Sequence, residues 1–290
     1  MSFRSLNDIL TISKENNKPF WRVILEDDME ERLVSEEESL EKMNRLYMAM
    51  KDADAAYDDK LKSAGGLVGG DGAKMERALR EGKVLSGSFI GAVISKALKM
   101  GESNACMKKI VAAPTAGSCG VIPAVLISYE EQYGASMQRM VEAMYVAAGI
   151  GEVIAARAFL SGAAGGCQAE IGSASAMAAG ALAYLNGGDE ESIAHAAAMA
   201  LKNLLGLVCD TVGGLVEVPC VKRNAIGAVN AIACADMAVA GIRSQIPPDE
   251  VIDAMREVGE ALPKTLRETG EGGLAATPTG REIKKNIHNL

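Results

Sequence analysis

Along most of this chain, apolar positions recur every three or four residues, the period of a helix resting on a core. The clearest case follows Ser35. Leu40, Met43, Leu46, Tyr47 and Met50 fall on one face, and acidic and polar residues fill the other. Ser35-Glu-Glu-Glu38 reads as a capping box, serine at the cap and glutamate three residues on. A helix is therefore predicted from there to about Lys62. Further helices are predicted over 73–81, 88–100, 136–160, 168–186, 189–206 and 223–243, with Asp189 as an N-cap. Val121-Ile-Pro-Ala-Val-Leu126 opens another, with Pro123 in its first turn, and Pro247-Pro248 opens one lasting to about Leu262. A short helix is expected from Arg281. No run alternates in the manner of a half-buried strand. The predicted fold class is all-α, a compact multi-helix domain whose glycine-rich loops carry the site. Residues 1–34 are expected to form an irregular or partly helical arm pinned by Phe20 and Trp21, and residues 35–290 a single domain.

The breaks in this pattern are more informative than the helices. Ala64 to Gly72 is glycine-rich, but no Gly-Lys-Ser/Thr follows it and it lacks a dinucleotide fingerprint. It reads either as a joint between helices or as a backbone lining for a ligand carboxylate. In Val111 to Gly120, Pro114 and Gly117 stop regular structure ahead of a helix N-terminus. Thr115, Ser118 and the amides around Gly117 would face one small volume, an arrangement that suits an anion. Asn203 to Asn224 places Cys209 and Cys220 at the edges of an apolar run broken by Gly213, Gly214 and Pro219, with Asp210, Lys222 and Arg223 beside the thiols. That is a poor design for plain core and suits a backbone wrapped around something that needs sulfur. Cys167 lies in another loose patch, Ser161 to Glu170. On spacing alone, six cysteines without a C-x-x-C pair read first as small buried hydrophobes.

Composition narrows the function. Apolar residues make up 49% of the chain but aromatics only 4%. Alanine and glycine therefore supply much of the packing surface and let helices approach closely. A net charge of −8 argues against nucleic acid, which needs clustered cations against phosphate. The N-terminus lacks the apolar core and cleavage site of a signal peptide, so a cytoplasmic protein with reduced thiols is expected. Ile171 to Gly188 carries no charge, but its glycines, serines and asparagine read as a buried, tightly packed helix and not as a membrane span.

Three long segments, VAAPTAGSCGVIPAVL, GGCQAEIGSASAMAAG and GLVCDTVGGLVEVPCVKRNAIGAVNA, resemble the alpha subunit of the iron–sulfur-dependent L-serine dehydratases. The resemblance extends from about Gly65 to Arg281. It implies a [4Fe–4S] cluster held by Cys167, Cys209 and Cys220, and leaves Cys106, Cys119 and Cys234 as packing residues. It implies a substrate-carboxylate loop of Thr115, Gly117 and Ser118 with Asn104 as a neighbour. Glu170, Asp210 and Arg223 take supporting roles. Two departures stand out. Many relatives have proline where this chain has Thr211, which loosens the backbone after Cys209. Fused relatives end in a cysteine soon after the motif matching Gly272-Gly-Leu-Ala275, whereas this chain runs on and ends Asn-Leu, so a sulfur plug from the tail is not expected.

Dehydrating L-serine needs a base for a weakly acidic α-proton and a Lewis acid for a poor leaving group. The resemblance implies that one open iron polarises the hydroxyl. Loss of water then gives aminoacrylate, which tautomerises to an imine and hydrolyses to pyruvate and ammonia. No lysine stands out as an anchor for pyridoxal phosphate, and none is expected. The base is not evident. His195 sits within an alanine-rich helix and reads as a packed residue, and His288 is close to the terminus. In the family the proposed base belongs to a beta part, so a beta-subunit partner is expected to supply it. Two other readings stay open: an iron–sulfur hydro-lyase of another small hydroxy acid, and a non-catalytic helical subunit with buried cysteines.

Overall fold

The computed structural model describes residues 3–287, and among these no strand forms. The helices are α1 (Leu6–Asn16), α2 (Phe20–Arg32), α3 (Glu36–Ala55), α4 (Asp71–Arg80), α5 (Gly87–Ala105), α6 (Val121–Tyr133), α7 (Met137–Arg157), the single turn α8 (Gly162–Gly165), α9 (Ser173–Leu185), α10 (Glu190–Lys202), α11 (Cys220–Val239), α12 (Pro248–Ala261) and α13 (Pro278–Ile287). The fold is all-α, as the periodicity predicts.

Helix α9 is the axis of the molecule. Twelve of its thirteen residues are buried, because it is apolar on every side. It packs against α6, α7, α10 and α11. Glycine permits the closest of these approaches. A Cβ on Gly180 would lie 2.2 Å from the Ile150 side chain, and one on Gly151 would lie 2.8 Å from that of Met177. The uncharged window from Ile171 is thus protein core. Among the described residues, no helix is long and apolar enough to cross a membrane.

Several boundaries differ from the sequence reading. The Ser35 capping box is present, with both reciprocal hydrogen bonds made, but α3 ends at Ala55. Beyond it, Tyr57 turns its hydroxyl to Glu102, and the Lys60 amide donates to Asp58, which fixes a turn in place of helix. Helix α11 begins three residues early, at Cys220, with Pro219 as its cap. The stretch expected to be helical from residue 168 starts as a π-helical turn, Gln168–Gly172, before α9. In the first 34 residues, α1 and α2 bury Leu6, Ile9, Phe20 and Leu25 in the main core. Gly149 of α7 lacks a side chain where Ile24 of α2 lies against it.

Candidate active site

The three expected ligands come from three different local structures. Cys167 caps the π-helical turn, just after Gly166, whose φ of 78° is left-handed. Cys209 lies in extended backbone clasped by the C-terminal segment. Its amide donates to the Leu266 carbonyl at 2.8 Å, and its carbonyl accepts from the Glu268 amide at 2.8 Å. Cys220 opens α11. All three are free thiols, at 1%, 1% and 4% exposure. They lie close enough to disturb one another electrostatically. Burial pushes Cys167 and Cys220 up to about 12, and the Arg223 guanidinium beside each pulls the other way. Cys209 is also raised, by burial first and then by the other two thiols. A Cβ on Gly162 would meet the Cys209 sulfur at 2.8 Å and Glu268 Oε2 at 3.4 Å, so this wall of the site has room only for glycine.

Arg223 ties the sulfur-bearing segments together. It donates to the Cys167 sulfur, to the Val208 carbonyl at 2.7 Å and to Asp210 Oδ1 at 2.9 Å. The other oxygen of Asp210 accepts from the Leu274 amide at 2.8 Å, and Gly273 packs against the same carboxylate. The Gly272–Ala275 motif is therefore fastened to the residue after Cys209. Lys222 points away and pairs with Asp71 at 3.1 Å.

The Thr115–Ser118 loop is also at the site, but its donors are engaged. The Thr115 hydroxyl donates to Glu170 Oε1 at 2.5 Å, and the Gly117 amide donates to the same carboxylate. A Cβ on Gly117 would lie 2.5 Å from Glu170 Oε1, which is why that position is glycine. The Ser118 hydroxyl is 3.0 Å from that of Thr115. Burial raises the Glu170 pKa, opposed by the Thr115 hydrogen bond and reinforced by Glu268. Neither Glu170 nor Glu268 pairs with a cation among the described residues. Asn104 is half-buried near the end of α5, and no hydrogen bond among the described residues joins its side chain to this group.

The remaining sequence candidates lie elsewhere. His195 on α10 accepts from the Ser244 amide at Nδ1, and its pKa is lowered, by burial first and then by Arg243. His288 lies outside the described residues. Cys119 contacts the Met100 carbonyl, and Cys234 contacts Asn230. The glycine loop does cradle carboxylates, but they belong to the chain itself. Gly65 and Leu67 amides donate to Glu217, and Asp71 and Gly72 amides donate to Glu102. Glu102, Glu217, Asn224 and Glu268 had escaped the sequence reading. Each binds or faces segments distant in the chain, so no local spacing marks it.

Residues 15–275 match the family described as "Serine dehydratase alpha chain". The chain is 48% identical over 285 residues to "Probable L-serine dehydratase, alpha chain" of Bacillus subtilis, covering 98% of this chain and 95% of that one. It belongs to the serine dehydratase alpha chain family. It is also 40% identical over 284 residues to "L-serine dehydratase, alpha chain" of Peptoniphilus asaccharolyticus, covering 97% and 96%. "L-serine dehydratase 1" of Escherichia coli matches at 42% identity over 181 residues, 62% of this chain and 40% of that protein. The family match takes in every site residue from Asn104 to Glu268, and α13 falls beyond it.

Proposed function

We propose that this chain is the catalytic alpha subunit of an L-serine dehydratase, converting L-serine to pyruvate and ammonia with a [4Fe–4S] cluster on Cys167, Cys209 and Cys220. The observation that carries the reading is the convergence of three buried free thiols from three separate elements, with one guanidinium among them. The donor set fits the group. Soft thiolates select iron–sulfur clusters, the ligands sit beside helix ends, and glycine at 162 leaves space against a sulfur. Three thiolates on four irons leave one iron open, which supplies a Lewis acid for the substrate hydroxyl when the cluster is bound.

The chain's own residues would divide the remaining work. Arg223 places a positive charge against the sulfur of Cys167, and Asp210 orients it. Thr115 and Gly117 hold the Glu170 carboxylate, Ser118 braces Thr115, and substrate would be oriented against this loop through Glu170. Glu170 and Glu268 leave the site acidic, since Arg223 is taken up by Asp210 and Cys167. That charge balance favours a substrate bearing an ammonium group over a plain hydroxy acid. No histidine faces the thiols among the described residues, so the base that takes the α-proton is assigned to a beta-chain partner. "Alpha chain" in the relatives' names fits a multi-subunit enzyme.

The test is pyruvate formation from L-serine by anaerobically reconstituted protein, with and without the cognate beta chain. Turnover by the mixture and little by this chain alone is the expected result. Equal turnover by both would place the base here, with Glu170 and Asp210 first to mutate. No turnover by either, from a colourless protein, would favour a non-catalytic subunit.

A further inference from the structure

Two buried side chains bracket Cys220, and each grips a different loop. Glu217, three residues before it and 3% exposed, accepts from the Ser63 hydroxyl at 2.6 Å, the Gly65 amide at 2.8 Å and the Leu67 amide at 3.3 Å. Asn224, four residues after it and 1% exposed, accepts from the Gly120 amide at 2.8 Å. It donates to the Gly117 carbonyl at 2.8 Å and to the carbonyl of Cys220 itself at 3.0 Å. The loop residues are shaped to these side chains. A Cβ on Gly65 would lie 2.9 Å from Glu217 Oε2, and one on Gly120 would lie 2.6 Å from the Ala97 carbonyl oxygen and 3.0 Å from Asn224 Oδ1.

We propose that Glu217 and Asn224 are positioning residues that register the Gly65–Val68 and Gly117–Gly120 backbones, separately, on the turn carrying Cys220. Their importance to catalysis rests on the reading above, in which the Thr115–Ser118 loop meets the substrate. The chemistry of each side chain fits the task. Hydrogen bonds to a buried carboxylate are charge-assisted, so Glu217 can hold the backbone of this glycine-rich loop. Asn224 must accept from one backbone group and donate to two others, which aspartate and leucine cannot do. Sequence separations of 152 residues for Glu217 to Gly65 and 104 for Asn224 to Gly120 mean that neither latch is local.

The experiment is hydrogen–deuterium exchange on the reconstituted complex with its beta chain, comparing wild type, Glu217→Gln and Asn224→Asp, with iron content and L-serine kinetics measured alongside. One lost hydrogen bond corresponds to roughly tenfold faster local exchange. Glu217→Gln should speed exchange over residues 63–68 and leave 117–120 unchanged. Asn224→Asp should do the reverse and raise KM for L-serine more than it lowers kcat. Iron content should match wild type in both. Ser63→Ala, which removes one donor and spares the carboxylate, should loosen residues 63–68 to a smaller degree, and it serves if Glu217→Gln fails to fold. Unchanged exchange in both loops, loosening spread evenly over the helices, or loss of iron without local loosening would each overturn the proposal. The exchange pattern reads the same whether or not wild type makes pyruvate, so failure of the functional reading is seen separately.

Discussion

At the scale of single residues, absent atoms matter as much as present ones. Gly117 has no Cβ because the Glu170 carboxylate lies where one would be. Gly117→Ala must therefore push Glu170 off its two donors or distort the loop. The expected outcome is normal iron content with L-serine turnover lowered by at least about tenfold, roughly the cost of one misplaced polar contact. Turnover and KM equal to wild type would show that the Glu170–Gly117 contact is dispensable. The sequence made the three cysteines visible through long matching segments, and Asp210 and Arg223 by adjacency. Glu217 and Asn224 stayed hidden because the loops they hold lie more than a hundred residues away in the chain. Thr115 and Gly117, expected to face a substrate carboxylate, donate here to a carboxylate of the chain itself, that of Glu170.

At the scale of elements, the helix starts that carry a side-chain cap were legible, whereas boundaries set by tertiary contacts were not. Ser35, Ser136 and Asp189 each accept from the amide three residues on, and side-chain caps of this kind leave a sequence signature. The end of α3 depends on Tyr57 reaching Glu102, a tertiary contact that periodicity cannot register. Between elements, Lys96 of α5 bridges Asp54 of α3 at 2.8 Å and Glu131 of α6 at 3.1 Å. Burial alone would lower the Lys96 pKa, but the bonds to Asp54 and Glu131 outweigh it and raise the pKa above 10.5. A lysine raised on folding contributes stability that is fully present below its unfolded pKa and is lost as pH rises through the folded value. Lys96→Met strands the Asp54 carboxylate and should cost about 2–3 kcal/mol at neutral pH. In urea unfolding, the gap between variant and wild type should stay constant from pH 7 to 10 and narrow above pH 10.5. A gap that widens at high pH would contradict this sign.

At the scale of the molecule, an alanine-rich helical core built around α9 fixes the ends of helices and loops that bring the thiols together. The two glycine-rich loops are hydrogen-bonded to buried side chains of the chain itself, Glu102, Glu217 and Asn224. A beta chain would then meet a surface already formed. A cluster with an open iron should also be labile in air. Activity should fall on aerobic exposure and return with ferrous iron and thiol under anaerobic conditions, whereas activity unchanged after prolonged air and chelation would remove the catalytic cluster from the account. The most direct measurement is the iron and sulfide content and visible spectrum of the anaerobically reconstituted chain, alongside Cys209→Ala and Cys234→Ala. Wild type and Cys234→Ala should be brown with about four iron and four sulfide per chain, and Cys209→Ala should have lost both. A colourless wild type, or a full complement of iron in Cys209→Ala, would contradict the assignment of Cys167, Cys209 and Cys220 as the cluster's ligands.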